Sequence, residues 1–322
     1  MSARELDLAG ITDPWLRTSF ERCRRLNASH GRTYYLATLL LPAAKRPWVH
    51  ALYGFARYAD ELVDSLDHPD PDRLLTWSQR FLADLDDGHS ADPIAAAAVH
   101  TAHRWEIPRA YFEAFLASMR ADITVVEYPT YADLGRYMYG SAAVIGLQML
   151  PILEPVCPDA QAPARALGEA FQLSNVIRDV GEDLDRGRVY LPMEDLARFG
   201  LTRADLQARV TTPAVRALLA FEIDRARRLY AQARPGLAMV HPTSRACLQT
   251  AFELYGEILD AVERSGYRVL ERRVSVPLSR RLAVAGPALL RARRARRRPQ
   301  KTHQLRLCTT SANPNRRSST GA

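Results

Sequence analysis

Long apolar runs, paired cysteines, a dinucleotide fingerprint and strand-like alternation are all missing from this chain of 322 residues. No uninterrupted apolar stretch approaches the roughly 20 residues that a membrane span needs. The opening segment, MSARELDLAG, carries acidic residues where a signal peptide has a basic end and an apolar block, so a cytoplasmic location is expected. Cys23, Cys157, Cys247 and Cys308 lie far apart and form no C-x-x-C, so neither a zinc site nor a disulfide framework is indicated. The absence of G-x-G-x-x-G at a strand-to-helix turn leans against a conventional nicotinamide site. There is no internal repeat of fixed period and no long Gly/Ser linker.

Acidic residues are absent from residues 272–322, which hold fourteen Arg and Lys. Residues 1–271 therefore carry 30 basic and 36 acidic residues, and the net charge of +8 belongs to the C-terminal end. Six of the eight residues from Arg291 to Arg298 are arginine, and the Ser/Thr/Asn/Pro-rich stretch beyond them reads as a disordered tail over 291–322. Arginines beside the apolar stretch Leu282 to Leu290 suit either a solvated tail or peripheral contact with the inner face of an anionic membrane, at about 1 kcal/mol per basic residue. Nucleic acid is not the expected partner, because no aromatic residues interleave with the arginines.

What is present is a helical period. Apolar residues recur at three- and four-residue spacing over 13–28, 43–66, 71–86, 91–104, 108–126, 130–151, 160–184, 212–234, 243–264 and 277–298. Asp13-Pro14 and Asp92-Pro93 read as N-cap and first-turn pairs, and Pro108 and Pro129 mark helix boundaries. The expectation is a single all-α domain over residues 1–290, a bundle with a central cavity whose site is built from facing helices.

Two oxygen-bearing stripes stand out. Asn175, Asp179 and Asp183 recur every fourth residue, about 6 Å apart along a helix. Leu173, Val176, Ile177, Val180 and Leu184 surround them, and buried carboxylates are costly unless a metal or a cation compensates them. Asp60 and Asp64 form a second pair in LYGFARYADELVD, with Arg57 one turn before Asp60 and Tyr53 one turn further back. Each stripe alone is compatible with a solvated acidic face. Two of them in one apolar helical chain favour a shared metal site, and the chemistry that needs two opposed carboxylate stripes is the handling of a diphosphate. Magnesium accepts one or two carboxylates plus substrate oxygens, and arginines and tyrosine hydroxyls add fixed electrostatic support to a departing diphosphate. Arg57, Arg178, Arg188 and Arg272 are the candidates. Arg178 serves equally well as a structural partner for its acidic neighbours.

These residues resemble the squalene/phytoene synthase family of head-to-head prenyl diphosphate condensing enzymes, most closely its bacterial phytoene synthases, from about His30 to Ala285. The first acidic motif, Y-x-F/V-x-R-x-x-D-D/E-x-x-D, is matched at Tyr53, Arg57, Asp60, Glu61 and Asp64. The second, N-x-x-R-D-x-x-E-D-x-x-R-G-R-x-Y-L-P, is matched from Asn175 through Arg178, Asp179, Glu182, Asp183, Arg186, Gly187, Arg188 and Tyr190 to Pro192. The resemblance implies an isoprenoid-synthase-like fold with Asp60, Asp64, Asn175, Asp179 and Asp183 around magnesium ions, or manganese in their place. It implies Tyr53, Arg57, Arg178, Arg188 and Tyr190 near the diphosphates. HGRTYYLATLLLP resembles the opening segment that helps cover a diphosphate, which brings in His30, Arg32, Thr33 and Tyr34; Gly31 there loses a hydroxyl that the family usually has. RYMYGSAAVIG resembles the helix in which Tyr139 and Ala142 line the prenyl channel, although close helix packing explains its small residues equally well. Gln172 precedes the second motif, and LYGEILDAVERSGYRVLERRVSVP places Tyr255 and Arg272 near the site.

The implied reaction joins two geranylgeranyl diphosphates through a cyclopropyl diphosphate to give phytoene in carotenoid biosynthesis, without NADPH. Squalene or dehydrosqualene synthesis from farnesyl diphosphate is the alternative. Tyr34, Phe55, Tyr137, Tyr139 and Phe171 are candidates to shield the cations from water, with core packing the default for each alone. A class I terpene cyclase fits less well, since its second motif runs N-x-x-x-S/T-x-x-x-E where this chain has Asp twice. A non-catalytic relative would be expected to lose metal ligands, and all five are present; a membrane or RNA adaptor would depend on residues 272–322. Gly181 and Gly187 suggest that the second-motif helix loosens near its end, letting the following loop fold over the phosphates.

Overall fold

The structure, a computed structural model, describes residues 3–64 and 71–297, with the side chains of Arg32 and Asp64 outside the description. Among the described residues there are fifteen α-helices and no strand. The N-terminal half runs α1 (Ala3–Leu8), α2 (Pro14–His30), α3 (Arg32–Thr38), α4 (Arg46–Asp64), α5 (Pro71–Asp87), α6 (Pro93–Arg104) and α7 (Arg109–Thr124). Then follow α8 (Tyr131–Met138), a single π-helical turn (Tyr139–Ala143), α9 (Val144–Leu153) and the long α10 (Gln161–Asp185). The chain finishes with α11 (Met193–Arg198), α12 (Arg203–Gln207), α13 (Pro213–Ala233), α14 (Pro242–Arg264) and α15 (Leu278–Arg297).

The starts of these helices have local causes. The Asp13 carboxylate accepts the Leu16 N–H at 2.8 Å with Pro14 in the first turn, and Asp92 accepts the N–H groups of Ile94 and Ala95 at 2.9 and 2.8 Å ahead of α6. Thr130 and Asp133 close a reciprocal capping box on α8. Such caps satisfy backbone donors that no helical carbonyl reaches. The helices expected from periodicity are all present, with ends displaced by a few residues. The short helices α1, α3, α11 and α12 are additional, because fewer than two turns cannot display a period.

Two apolar cores share the work. The first gathers Phe20, Phe55, Phe81 and Phe112 from α2, α4, α5 and α7, and the second gathers Leu173, Ile177, Leu218 and Leu259 from α10, α13 and α14. Phe171 and Leu248 touch both, and between the cores lies a cavity of about 370 Å³. Phe55 is fully buried in a ring cluster with Trp77, Phe81, Phe112 and Phe115, so it belongs to the first core and does not line the cavity.

The boundary expected at residue 290 does not coincide with a structural one. Helix α15 crosses it: Ala285, Ala288 and Ala292 are buried, and Arg296 Nη2 donates to the carbonyls of Leu40 and Leu41 at 2.6 and 2.9 Å. An alanine seam lets the helix lie close, so residues 291–297 are part of the folded body. The rest of the expected tail, 298–322, lies outside the described residues.

Candidate active site

One end of the cavity is polar and the other apolar. Tyr53, Arg57 and Asp60 reach it from α4, and Gln172 and Asn175 from α10; the walls beyond are aliphatic. Tyr34, Tyr137 and Phe171 supply aromatic lining. The Phe171 ring stacks on Tyr255 at 4.2 Å, and Tyr255 in turn lies 4.9 Å from Tyr34. Burial pushes the phenols of Tyr34, Tyr53 and Tyr255 above their ordinary range, so each keeps its proton at neutral pH and acts as a donor.

The two acidic stripes carry internal counter-charges. Arg57 Nη1 stands 2.6 Å from Asp60 Oδ2 and its Nη2 3.2 Å from Glu61 Oε1, while His30 Nε2 lies 3.6 Å from the same Glu61 oxygen. On α10, Arg178 grips Asp179 through Nε at 2.7 Å and Nη2 at 2.5 Å. Burial alone would lower the pKa of Arg178, and the hydrogen bonds to Asp179 outweigh it, leaving the guanidinium more firmly charged. Asp183 lies 4.0 Å from Arg186. The side chains of Asp179 and Asp183 are 16% and 14% exposed, so these carboxylates are largely shielded.

A further arginine completes the shell. Arg273, not Arg272, reaches the stripe: its Nε is 3.1 Å from Asp179 Oδ1 and its Nη1 3.3 Å from Glu182 Oε2. Arg272 is exposed. The adjacent pair of arginines marked the segment in sequence, but only the turn of the chain after α14 selects which one reaches the acidic stripe.

Among the described residues no three His, Cys, Asp or Glu side chains converge into a metal cage. The donor set nevertheless suits a hard cation that takes most of its oxygens from a substrate. Asn175 Oδ1 is buried and has no hydrogen-bond partner, and a buried amide oxygen left so is costly unless something binds it. Asp60, Asp179 and Asp183 add oxygen donors only. The position assigned to Asp64 falls on a side chain outside the description, as does that of Arg32.

The other sequence-derived positions divide. Ala142 and Ser141 line the cavity, whereas Gly140 and Ala143 are buried in helix contact, so the small-residue run serves both channel and packing. Tyr139 does not line it; the Arg165 guanidinium sits 5.1 Å over its ring. Thr33 is half-buried and away from the lining. A Cβ at Gly31 would stand 2.6 Å from the Tyr53 ring, so a serine, which the resemblance leads one to expect here, has no room while Tyr53 holds this position.

Tyr190 and Arg188 bind Asp122 on α7, as does the cavity-lining Tyr137. The hydroxyls of Tyr190 and Tyr137 donate to the two Asp122 carboxylate oxygens at 2.8 and 2.9 Å, and Arg188 Nη2 donates to the Asp122 carbonyl at 2.8 Å. Helix α10 ends at Asp185 with Gly187 in left-handed backbone (φ 75°), as expected, but the loop beyond is tied elsewhere: Val189 N–H donates to Val126 O at 2.8 Å. Gly181 does not loosen the helix. A Cβ there would stand 2.7 Å from Val269 O, so the glycine permits close passage of the segment that carries Arg273. Asp122, and Asn27 from α2, which lines the cavity, lie within ordinary helical periods and give no local signal in the sequence.

Comparison with known proteins follows the same outline. The squalene/phytoene synthase family model matches residues 27–280. The phytoene synthase of Arthrospira platensis is 37% identical over 298 residues, spanning 85% of this chain and 94% of its own length. The 15-cis-phytoene synthase of a Synechocystis strain is 38% identical over 288 residues, 85% of each chain. Among solved structures, a dehydrosqualene synthase superposes with a TM-score of 0.79 at 29% identity, covering 86% of this chain and 98% of that one. A squalene synthase from Alicyclobacillus acidocaldarius gives 0.73 at 30% identity, covering 81% and 98%.

Proposed function

The chain belongs to the squalene/phytoene synthase family, and on that premise we propose that it condenses two geranylgeranyl diphosphates head to head, through a cyclopropyl diphosphate, to phytoene. The observation that carries the C20 reading is the likeness to relatives named phytoene synthase, and the length of the cavity along α10 accommodates it. Both Asn175 and Ala160 line it, and fifteen residues of helix place them about 22 Å apart. Each isoprene unit adds about 5 Å of chain at C–C bonds near 1.5 Å, so the wall is long enough for four units.

Each group at the polar end has a task in that reaction. Arg57, Arg178 and Arg273 stand beside the carboxylates on which a diphosphate would converge, and Tyr53 offers a protonated hydroxyl at the cavity edge. Magnesium, with manganese as a substitute, would be held by Asp60, Asn175, Asp179 and Asp183; bound there it neutralises the diphosphate oxygens as the allylic C–O bond ionises. The resulting allylic cation is attacked by the double bond of the second substrate, and proton loss closes the cyclopropane. A second ionisation opens the ring, and the rearranged cation loses a proton to give the product. Tyr34 and Phe171 line the cavity and shield these cations with ring faces, which favour positive charge, and Tyr255 supports them from behind. No hydride enters, so NADPH is not required.

Peripheral membrane contact is the accompanying proposal. Leu278, Leu282 and Leu290 of α15 are exposed, and Arg291, Arg293 and Arg294 stand among the outward-facing residues of the same helix. That combination suits an anionic lipid surface, where apolar substrate and product would partition. No helix among the described residues is long and apolar enough to cross a membrane.

The decisive experiment is product analysis by mass spectrometry after incubation with C15 and C20 diphosphates and magnesium, with and without NADPH. Phytoene from the C20 substrate without NADPH is expected; product from the C15 substrate alone would transfer the assignment to dehydrosqualene or squalene synthesis. Flotation with phosphatidylglycerol vesicles, against neutral vesicles, tests the lipid contact.

A further inference from the structure

The apolar end of the cavity is closed by Leu153, Val240 and Cys247. Leu153 ends α9, and Glu154 after it takes left-handed backbone (φ 55°, ψ 83°). This turn lays residues 153–156 antiparallel to 239–241. The His241 N–H donates to Glu154 O at 2.8 Å, the Val156 N–H donates to Met239 O at 2.8 Å, and Pro155 and Val240 form a bridge between them. Cys247 projects from the second turn of α14.

Directly behind this wall is a buried lysine. The Lys45 side chain is 8% exposed; its Nζ donates to Ser244 Oγ at 2.9 Å and pairs with Glu154 Oε2 at 2.9 Å. His241 Nδ1 stands 3.7 Å from the same carboxylate oxygen. The cluster is tied to the wall through the chain itself: Glu154 follows Leu153, His241 follows Val240, and Ser244 lies three residues before Cys247. The lysine is buried while the Glu154 side chain is 46% exposed, and such a pair adds little net stability, because desolvation of the ammonium offsets its attraction. What it supplies is geometry. It fixes three separate segments in one arrangement and puts charge where a hydrocarbon tail would otherwise continue, and an apolar chain that displaced it would leave a buried ammonium unpaired.

We propose that the Lys45–Glu154 pair is the stop that sets the longest prenyl chain the enzyme accepts, holding Leu153, Val240 and Cys247 as the wall met by the far end of the tail. The inference rests on the assignment of the cavity to a prenyl diphosphate. A fifth isoprene unit would need about 5 Å more and would meet the wall. Cys247 marks its nearest enlargeable point: the thiol is small and buried, and burial pushes its pKa up to about 12, so it stays an apolar wall group.

The test measures kcat/KM for C15, C20 and C25 diphosphates in the full-length protein. Cys247→Phe is expected to lower the C20:C15 ratio by roughly 10-fold or more, the scale at which a hydrophobic pocket discriminates small changes in an apolar group. Lys45→Met is expected to raise the C25:C20 ratio by about 5-fold or more, since the wall loses its tether. Val240→Phe repeats the first measurement should Cys247→Phe fail to fold, as read from thermal melting. A folded Cys247→Phe or Val240→Phe with an unchanged C20:C15 ratio overturns the position of the wall, and an unchanged C25:C20 ratio in Lys45→Met overturns the role of the ion pair. A wild-type protein that uses only the C15 substrate overturns the substrate assignment alone; the same shift is then read between C10 and C15.

Discussion

Arg273 crosses from the segment after α14 to Asp179 on α10, Nε to Oδ1, over 3.1 Å. The Asp179 carboxylate is thereby held by two arginines, Arg178 and Arg273, each reaching both of its oxygens. A guanidinium placed there would stand within reach of diphosphate oxygens if a metal at Asp179 held them.

The first prediction separates neighbouring arginines. Arg273→Gln should lower kcat/KM for the prenyl diphosphate by about 10- to 100-fold, the scale of losing one charge-assisted contact to the reacting group. Arg272→Gln, at an exposed position, should stay within about twofold of wild type. Equal losses in steady-state assays of the two variants would count against the geometry.

Metal dependence follows from the oxygen donors. Chelation should abolish pyrophosphate release and added magnesium should restore it. Asp60→Asn, Asp179→Asn and Asn175→Ala should each cost at least roughly 100-fold in rate, with the magnesium requirement shifted to higher concentration. Full activity in all three would remove the metal site from these residues.

Two tyrosines of the acidic motifs should behave differently. Tyr190→Phe removes a donor to the buried Asp122 carboxylate, and loss of that charge-assisted hydrogen bond should destabilise the fold by about 1–3 kcal/mol in urea unfolding, with kcat reduced less than roughly tenfold. Tyr53→Phe removes a hydroxyl at the cavity edge and should reduce kcat by about tenfold or more with little change in stability.

A pH effect is expected from His50. It is buried and its Nδ1 lies 3.0 Å from the Asn27 amide nitrogen; burial, followed by the nearby Arg24 and Arg46 charges, pulls its pKa down to about 3. In the unfolded chain the ring takes a proton near pH 6.5, so its contribution to stability is complete above that value and is lost as the pH falls from about 6.5 toward 3. Between neutral pH and pH 5 the loss is about 2 kcal/mol at 1.36 kcal/mol per unit. His50→Gln keeps an acceptor for Asn27 and cannot titrate. Urea unfolding at both pH values should show a correspondingly shallower decline for the variant, and parallel declines would refute the assignment.

Much of this was legible in the sequence because it is local. The spacing of apolar residues, the Asp-Pro helix starts and the four-residue recurrence of Asn175, Asp179 and Asp183 depend only on neighbours along the chain, and helix geometry converts them directly into faces and stripes. The family motifs extended that reading to a reaction class. What only the tertiary structure decided concerns partners far apart in sequence. It selected Arg273 over Arg272, turned the hydroxyl of Tyr190 toward Asp122, took Phe55 into a core and carried α15 past the expected boundary. It also ended the cavity where Leu153, Val240 and Cys247 meet. Periodicity specifies which face of a helix is apolar but not which distant segment packs there, and that choice depends on shape complementarity across the whole bundle.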